Sequence, residues 1–131
     1  MPNHVENDLW VSGPLPFLDE FQEYAKGPCG VPAPGVEDCL LSAHKFIPYP
    51  GGSYQNGGYL WCIQNWGTKW GLYDVEQHPR KKNLFYTFRT AWSPPTPIIF
   101  AMSQRFPDLE FKLRYYEGAM CFKGIYIAKV G

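Results

Sequence analysis

The chain has 131 residues, the size of one ordinary domain, and is long enough to bury a core without disulfide or metal support. Twelve basic and twelve acidic residues balance to zero, which excludes a global electrostatic pull toward nucleic acid or an anionic membrane and leaves only local attraction. Aromatic residues make up 18%, and 13 Gly with 13 Pro imply many turns, so a strand-rich α+β or all-β domain is expected rather than long helices.

The start, Met1 to Asp8, is polar, with no charged leader followed by an apolar run, and nothing nears the roughly 18 apolar residues of a membrane span. A cytoplasmic location with reduced thiols is the expectation. Asp8 to Gly13 alternates Leu9 and Val11 against Trp10 and Ser12 and reads as a strand. From Pro16 to Gly27, Phe17, Leu18, Phe21, Tyr24 and Ala25 recur at helical spacing. Proline in the first turn, early acids, and Lys26 then Gly27 at the end are matching start and stop signals.

Gly27 to Asp38 is a Pro- and Gly-rich loop, and Leu40 to Ile47 reads as a strand ended by Pro48. An insertion over about 49–83 follows, irregular and glycine-rich to Gly58. It then holds three of the five tryptophans between Trp61 and Asp74. After Arg80-Lys81-Lys82, the run Leu84 to Trp92 is the best strand, with Leu84, Tyr86, Phe88 and Trp92 on one side and Thr87 and Arg89 on the other. Ser93 to Pro97 turns the chain, Ser93 or Thr96 is placed to cap, and Ile98, Ile99, Met102 and Phe106 form the buried face of a helix that Pro107 ends.

Leu109 to Tyr116 alternates Leu109, Phe111, Leu113 and Tyr115 inward against Glu110, Lys112 and Arg114 outward, so one sheet face is buried and the other polar. Glu117-Gly118 turns into Met120–Val130, where apolar residues switch from even to odd positions. A bulge at Gly124 would return them to one face. Two strand–helix–strand units in tandem predict an α+β ferredoxin-like sandwich. It is a single domain over 1–131, an antiparallel sheet with two helices on one face, an extra C-terminal strand and a Gly/Trp-rich insertion.

Three stretches together resemble a known family: Asn3-His4-Val5-Glu6-Asn7-Asp8-Leu9-Trp10-Val11-Ser12-Gly13; Asn65-Trp66-Gly67-Thr68-Lys69-Trp70; and Thr90-Ala91-Trp92-Ser93-Pro94-Pro95 with Arg105-Phe106-Pro107. They are similar to the YubB-like, or Api-type, ferredoxin-like domains of bacteriophages and conjugative plasmids. The resemblance implies that fold and a mobile genetic element, and it carries no catalytic residues. Where the family commonly continues with an acid, Gly71 follows Trp70.

The tryptophan segment admits two readings. Trp61, Trp66, Trp70 and Trp92 pack as a brace over a sheet edge, or Asn65, Trp66, Thr68, Lys69 and Trp70 make a pocket for a base or nucleotide. On the polar sheet face, Arg89, Lys112, Arg114 and Lys123 are expected side by side. There they are solvated, covered by the insertion, or facing an anionic partner, either nucleic acid or an acidic protein surface. Arg80-Lys81-Lys82 reads as a solvated turn.

For catalysis, Asp74, Glu76 and His78 are the one titratable group in close sequence, and no nucleophile elbow, phosphate loop, zinc-protease or dinucleotide motif occurs. Ser12 and Ser93 read as turn and cap residues. Cys29, Cys39, Cys62 and Cys121 form no C-x-x-C pair. Cys29, Cys39 and His44 match no common zinc spacing, so the cysteines read as apolar fillers, with no metal and no cofactor expected. Taken with this absence of catalytic motifs, the resemblance to a mobile-element family implies a small non-enzymatic phage- or plasmid-type protein that binds a host or defence-system macromolecule, as an anti-defence inhibitor would. A nucleotide or single-stranded nucleic-acid binder and an enzyme built on His78 stand as alternatives.

Overall fold

The computed structural model describes residues 3–51, 54–118 and 122–130. Its centre is β1 (His4–Ser12), whose alternation places Val5, Asn7, Leu9 and Val11 in the interior and His4, Glu6, Asp8 and Trp10 on the opposite face. The chain then forms α1 (Leu15–Tyr24), a two-stranded ribbon of β2 (Gly27–Pro28) and β3 (Asp38–Cys39), and a single helical turn, α2 (Ala43–Phe46). A kinked helical segment at Tyr54–Gly58 leads into α3 (Tyr59–Asn65). The sheet resumes with β4 (Tyr73–His78) and β5 (Leu84–Ala91), then α4 (Thr96–Arg105), β6 (Glu110–Glu117) and β7 (Phe122–Ala128).

One five-stranded antiparallel sheet results, in the order β4-β5-β1-β6-β7. With β7 set aside, strands β1, β4, β5 and β6 and helices α1 and α4 reproduce the ferredoxin-like arrangement, in which each strand–helix–strand unit is interleaved with the other. The α+β ferredoxin-like expectation, with an added C-terminal strand, is thus met. The second strand of the fold is β4, however, and not the run Leu40–Ile47. In that run Leu41, Ser42 and Ala43 are all buried in succession, which strand alternation does not allow, and the Ser42 hydroxyl donates to Pro28 O at 2.7 Å and ties the α2 turn to β2. β4 escapes recognition because its inward positions are only Val75 and Gln77, half-buried and one of them polar, with Gln77 bonded to Gln22 of α1 at 3.0 Å, while Tyr73 lies across from Arg89 on the open side against His4. The inserted material therefore ends before Tyr73, and residues 73–78 belong to the sheet.

The core lies between the inward sheet face and the helices. Phe21 of α1 is its hub, with ring centroids 5.6 Å from Phe46, 5.2 Å from Phe106, 5.4 Å from Phe111 and 6.3 Å from Tyr86. Tyr49, Cys62, Trp66 and Leu72 of the insertion join the same cluster. The insertion consequently packs on the helical side, and the opposite sheet face stays open. This answers whether it covers that face: Arg89, Lys112 and Arg114 remain exposed.

Two strand-end expectations change. β7 pairs with β6 in unbroken register from Phe122 to Ala128, so there is no bulge at Gly124. Phe122, Tyr126 and Ala128 face inward, and Lys123, Ile125 and Ile127 face the open side. Glycine at 124 leaves room for the phenol end of the Tyr115 side chain, which a Cβ there would displace. Trp92 does not share the side of Tyr86 and Phe88; its backbone is left-handed (φ 76°), and the ring swings out to 42% exposure. Neither Ser93 nor Thr96 caps α4 through its side chain, since Pro95 holds the cap position and Ser93 bonds elsewhere.

Phe21→Ala removes a ring at the junction of both helices and the sheet. A loss of about 3–5 kcal/mol in urea unfolding is expected. Leu15→Ala, on the solvent side of the same helix, should change stability by less than about 0.5 kcal/mol.

Candidate functional site

The three family-like stretches meet at one place. Asn7 Nδ2 donates to Val5 O and to Thr90 Oγ1, both at 3.1 Å, and the Thr90 hydroxyl donates to Ser93 O at 2.8 Å. Ser93 Oγ in turn donates to Gly67 O. Lys69 N donates to Ala91 O at 3.3 Å, and Trp92 N to Asn3 O at 2.9 Å. Gly67 has φ 76°, and a Cβ at that position would sit 2.7 Å from Pro97 Cδ, so the segment 65–70 closes onto the start of α4 only with glycine there.

Within this junction the tryptophan segment works as a brace. Trp66 is fully buried, its indole donating to Ile47 O at 2.9 Å and meeting Trp61 edge-on at 5.2 Å. Thr68 is buried and donates to Trp70 O. Neither residue offers a surface to a ligand, which corrects their place among candidate binding residues. Asn65 is bonded to Trp61 O at 3.0 Å. Lys69 holds its ammonium 5.1 Å from the Trp70 ring and 4.6 Å from the exposed Trp92 ring, so its charge is already engaged by two aromatic faces. Gly71 stands where an acid was expected because a Cβ would lie 2.8 Å from Gly30 Cα and 3.2 Å from the Trp66 ring.

The open sheet face is the second gathering of sequence-selected residues. Strand register lines up three rows: His78, Phe85, Trp10, Lys112 and Ile127; then Glu76, Thr87, Asp8, Arg114 and Ile125; then Tyr73, Arg89, Glu6, Tyr116 and Lys123. Arg89, Lys112, Arg114 and Lys123 thus share a face, as their alternation implies. Their charges are not equally free. Arg89 pairs with Glu6 at 2.9 Å and with Asp74 at 3.4 Å, and Arg114 pairs with Asp8 at 2.7 Å.

Trp10 and Phe85 stack at 4.9 Å with 17° between their planes, on the two central strands. Each outer ring face is covered as well. Arg114 and Lys112 lie 5.2 and 5.7 Å from the Trp10 centroid, and His78 and Arg80 lie 5.1 and 5.8 Å from that of Phe85. Arg80 is therefore more than a solvated turn residue. Sequence reasoning missed the stack because alternation gave the face of each ring but not the register that sets Trp10 opposite Phe85. It also missed Ile125 and Ile127, 60% and 58% exposed, which the supposed bulge had turned inward, and Tyr116, 54% exposed. Between Tyr116, Arg114, Lys123 and Ile125 lies a hollow of about 570 Å³.

The catalytic candidate does not assemble. His78 Nε2 contacts Thr87 Oγ1 at 2.7 Å and lies 3.9 Å from Glu76, whereas Asp74 turns to Arg89. Among the described residues no three His, Cys, Asp or Glu side chains gather in a metal-holding group, and His44 Nδ1 accepts the Tyr49 amide at 2.8 Å. No helix among them is long and apolar enough to cross a membrane.

Residues 66–131 match the family model described as the ferredoxin-like domain in Api92-like protein. The chain belongs to that family. No curated protein and no solved structure matches. The match takes in Trp66-Gly67-Thr68-Lys69-Trp70 and Thr90–Pro95. β1 and α1 precede it, yet β1 is the strand on which the Api92-like sheet is centred.

Two predictions follow from the junction and the buried thiols. Gly67→Ala combines a left-handed backbone with a clash against Pro97, and unfolding should register a loss of about 2 kcal/mol or more. Burial pushes the Cys62 thiol up to about 11 from 9.0, and the Cys39 thiol, desolvated beside Cys29, up to about 12. The folded state keeps these protons after the unfolded chain has lost them, so stability is present below pH 9 and falls as pH rises from there toward 11. Thermal melts between pH 8 and 11 should show this decline, and Cys62→Ala should make it shallower.

Proposed function

We propose that this Api92-like protein is a binding module without catalytic activity. Its open sheet face docks on a protein of a bacterial host or of a defence system in the cytoplasm, as expected of a phage- or plasmid-type inhibitor. The observation that carries this reading is the composition and order of that face. A Trp10–Phe85 stack, two ion-paired arginines, and exposed Tyr116, Ile125 and Ile127 are laid out in register on a rigid sheet. Tryptophan, tyrosine and arginine are the residues that dominate interface hot spots, and side chains already fixed by neighbours lose little entropy on docking.

Nucleic acid is the weaker fit for two physical reasons. Base stacking needs a free aromatic face, and both faces of this ring pair are taken by cations, imidazole or each other. Phosphate binding needs uncompensated charge, and Arg89 and Arg114 are neutralised by Glu6, Asp74 and Asp8. The enzyme reading lacks an assembled acid–base pair.

The test is affinity capture from bacterial lysate with the chain as bait, run beside oligonucleotide binding. A host protein retained in near-stoichiometric yield is expected, with retention falling roughly tenfold or more for Arg114→Glu and for Tyr116→Ala, and unchanged for Lys26→Glu just after α1. Capture indifferent to both open-face variants, or single-stranded DNA or RNA held with an affinity that drops as salt rises, would overturn the reading.

A further inference from the structure

The two edges of the sheet are built differently. β4 breaks register between Tyr73 and Glu76, carries Asp74 in a left-handed conformation (φ 51°), and bears two carboxylates outward. Bulges and charges of this kind stop another strand from adding. β7 has no bulge, no left-handed residue and no carboxylate. It runs in unbroken register with β6, it contains one charged residue, Lys123, and it presents Ile125 and Ile127 beside its open edge.

Charge says what the edge lacks. Asp8 and Glu6, the acids nearest on the face, are engaged by Arg114 and Arg89. Lys123 has no carboxylate within ion-pair distance among the described residues, although it borders the 570 Å³ hollow with Tyr116 and Ile125. A second copy of this chain pairing two-fold through β7 would match isoleucine to isoleucine but would bring two lysines and no acid.

Resting on the protein-partner reading above, we infer that the partner supplies an extended, mainly apolar segment with one carboxylate opposite Lys123 that adds to β7 as a sixth strand. Main-chain hydrogen bonds to the free edge provide affinity, and alternate side chains provide specificity. Residues facing the open side meet Ile127, Ile125 and Lys123 in turn, so the segment carries apolar, apolar and acidic side chains at every second position. The intervening ones lie beside Tyr126 and Gly124.

The probe is a fluorescent peptide in which two valines and one glutamate occupy alternate positions between threonines, set against the same peptide with lysine for glutamate. The glutamate peptide should bind about tenfold more tightly, weaken about tenfold with Lys123→Glu, and slow amide exchange over Phe122–Ala128 while leaving Tyr73–His78 unchanged. Equal or absent binding of the two peptides, protection outside β7, or a dimer of the chain alone that Ile125→Lys abolishes would each overturn the inference. A captured partner that depends on Arg114 and Tyr116 yet leaves β7 amides exchanging freely overturns the added strand and spares the open-face reading. Capture that ignores Arg114 and Tyr116 removes that reading itself.

Discussion

The fold turns on the buried amide of Asn7. It sits in the inward row of the central strand, between Val5 and Leu9, where an apolar side chain would pack with less desolvation. Its donor instead engages Thr90 Oγ1, and that hydroxyl passes the bond on to Ser93 O. The relay fixes the exit of β5 in an abrupt turn, with Trp92 in a left-handed backbone that a bulky residue adopts only under constraint. From that turn Ser93 reaches Gly67, and Trp92 is thrown outward onto Lys69. One polar contact in the core thereby sets the path of the insertion and the entry to α4.

This accounts for how three stretches far apart in sequence come together. Asn7, Gly67 and Thr90–Ser93 are successive links of one hydrogen-bonded chain, so each is meaningful only with the others. The tryptophans are secondary to it. Trp66 fills the space that the Gly67 turn encloses, and its indole proton is spent on Ile47 O. A cluster of rings in sequence suggests a stacking platform, but the rings on the open face are others, Trp10 and Phe85, stacked on each other from strands that sequence places more than seventy residues apart.

What sequence made legible is what period alone encodes. The inward rows of β1, β5 and β6 follow from alternation, as do α1 and α4 from 3.6-residue spacing and terminal prolines. The failures share a cause, which is that context outweighed the local pattern. Leu40–Ile47 has too few residues for its period to separate a strand from a helical turn, and the successive burial of Leu41, Ser42 and Ala43 departs from strand alternation. Tyr73–His78 is an edge strand whose inner face is half polar, so its alternation lacks hydrophobic contrast. At Gly124 the phase shift was read as a bulge; the sheet keeps its register and exposes two isoleucines instead. Register, and with it the pairing of Arg89 with Glu6 and Arg114 with Asp8, has no local signature at all.

Those ion pairs shape what the open face is able to recognise. An exposed arginine paired with a carboxylate contributes little to stability, on the order of 1 kcal/mol or less, because water screens the pair. Its effect is geometric and electrostatic: the guanidinium is held flat over the sheet, and the long-range field of the face is nearly cancelled. A cancelled field does not steer a polyanion. It suits a partner recognised at contact distance, by shape and by the few charges left over. On this face the leftover charge is concentrated toward the β6–β7 side, at Lys112 and Lys123, beside the exposed isoleucines. The asymmetry in charge coincides with the asymmetry between the guarded edge at β4 and the unguarded one at β7, and two unrelated features of the sheet therefore select the same side for contact.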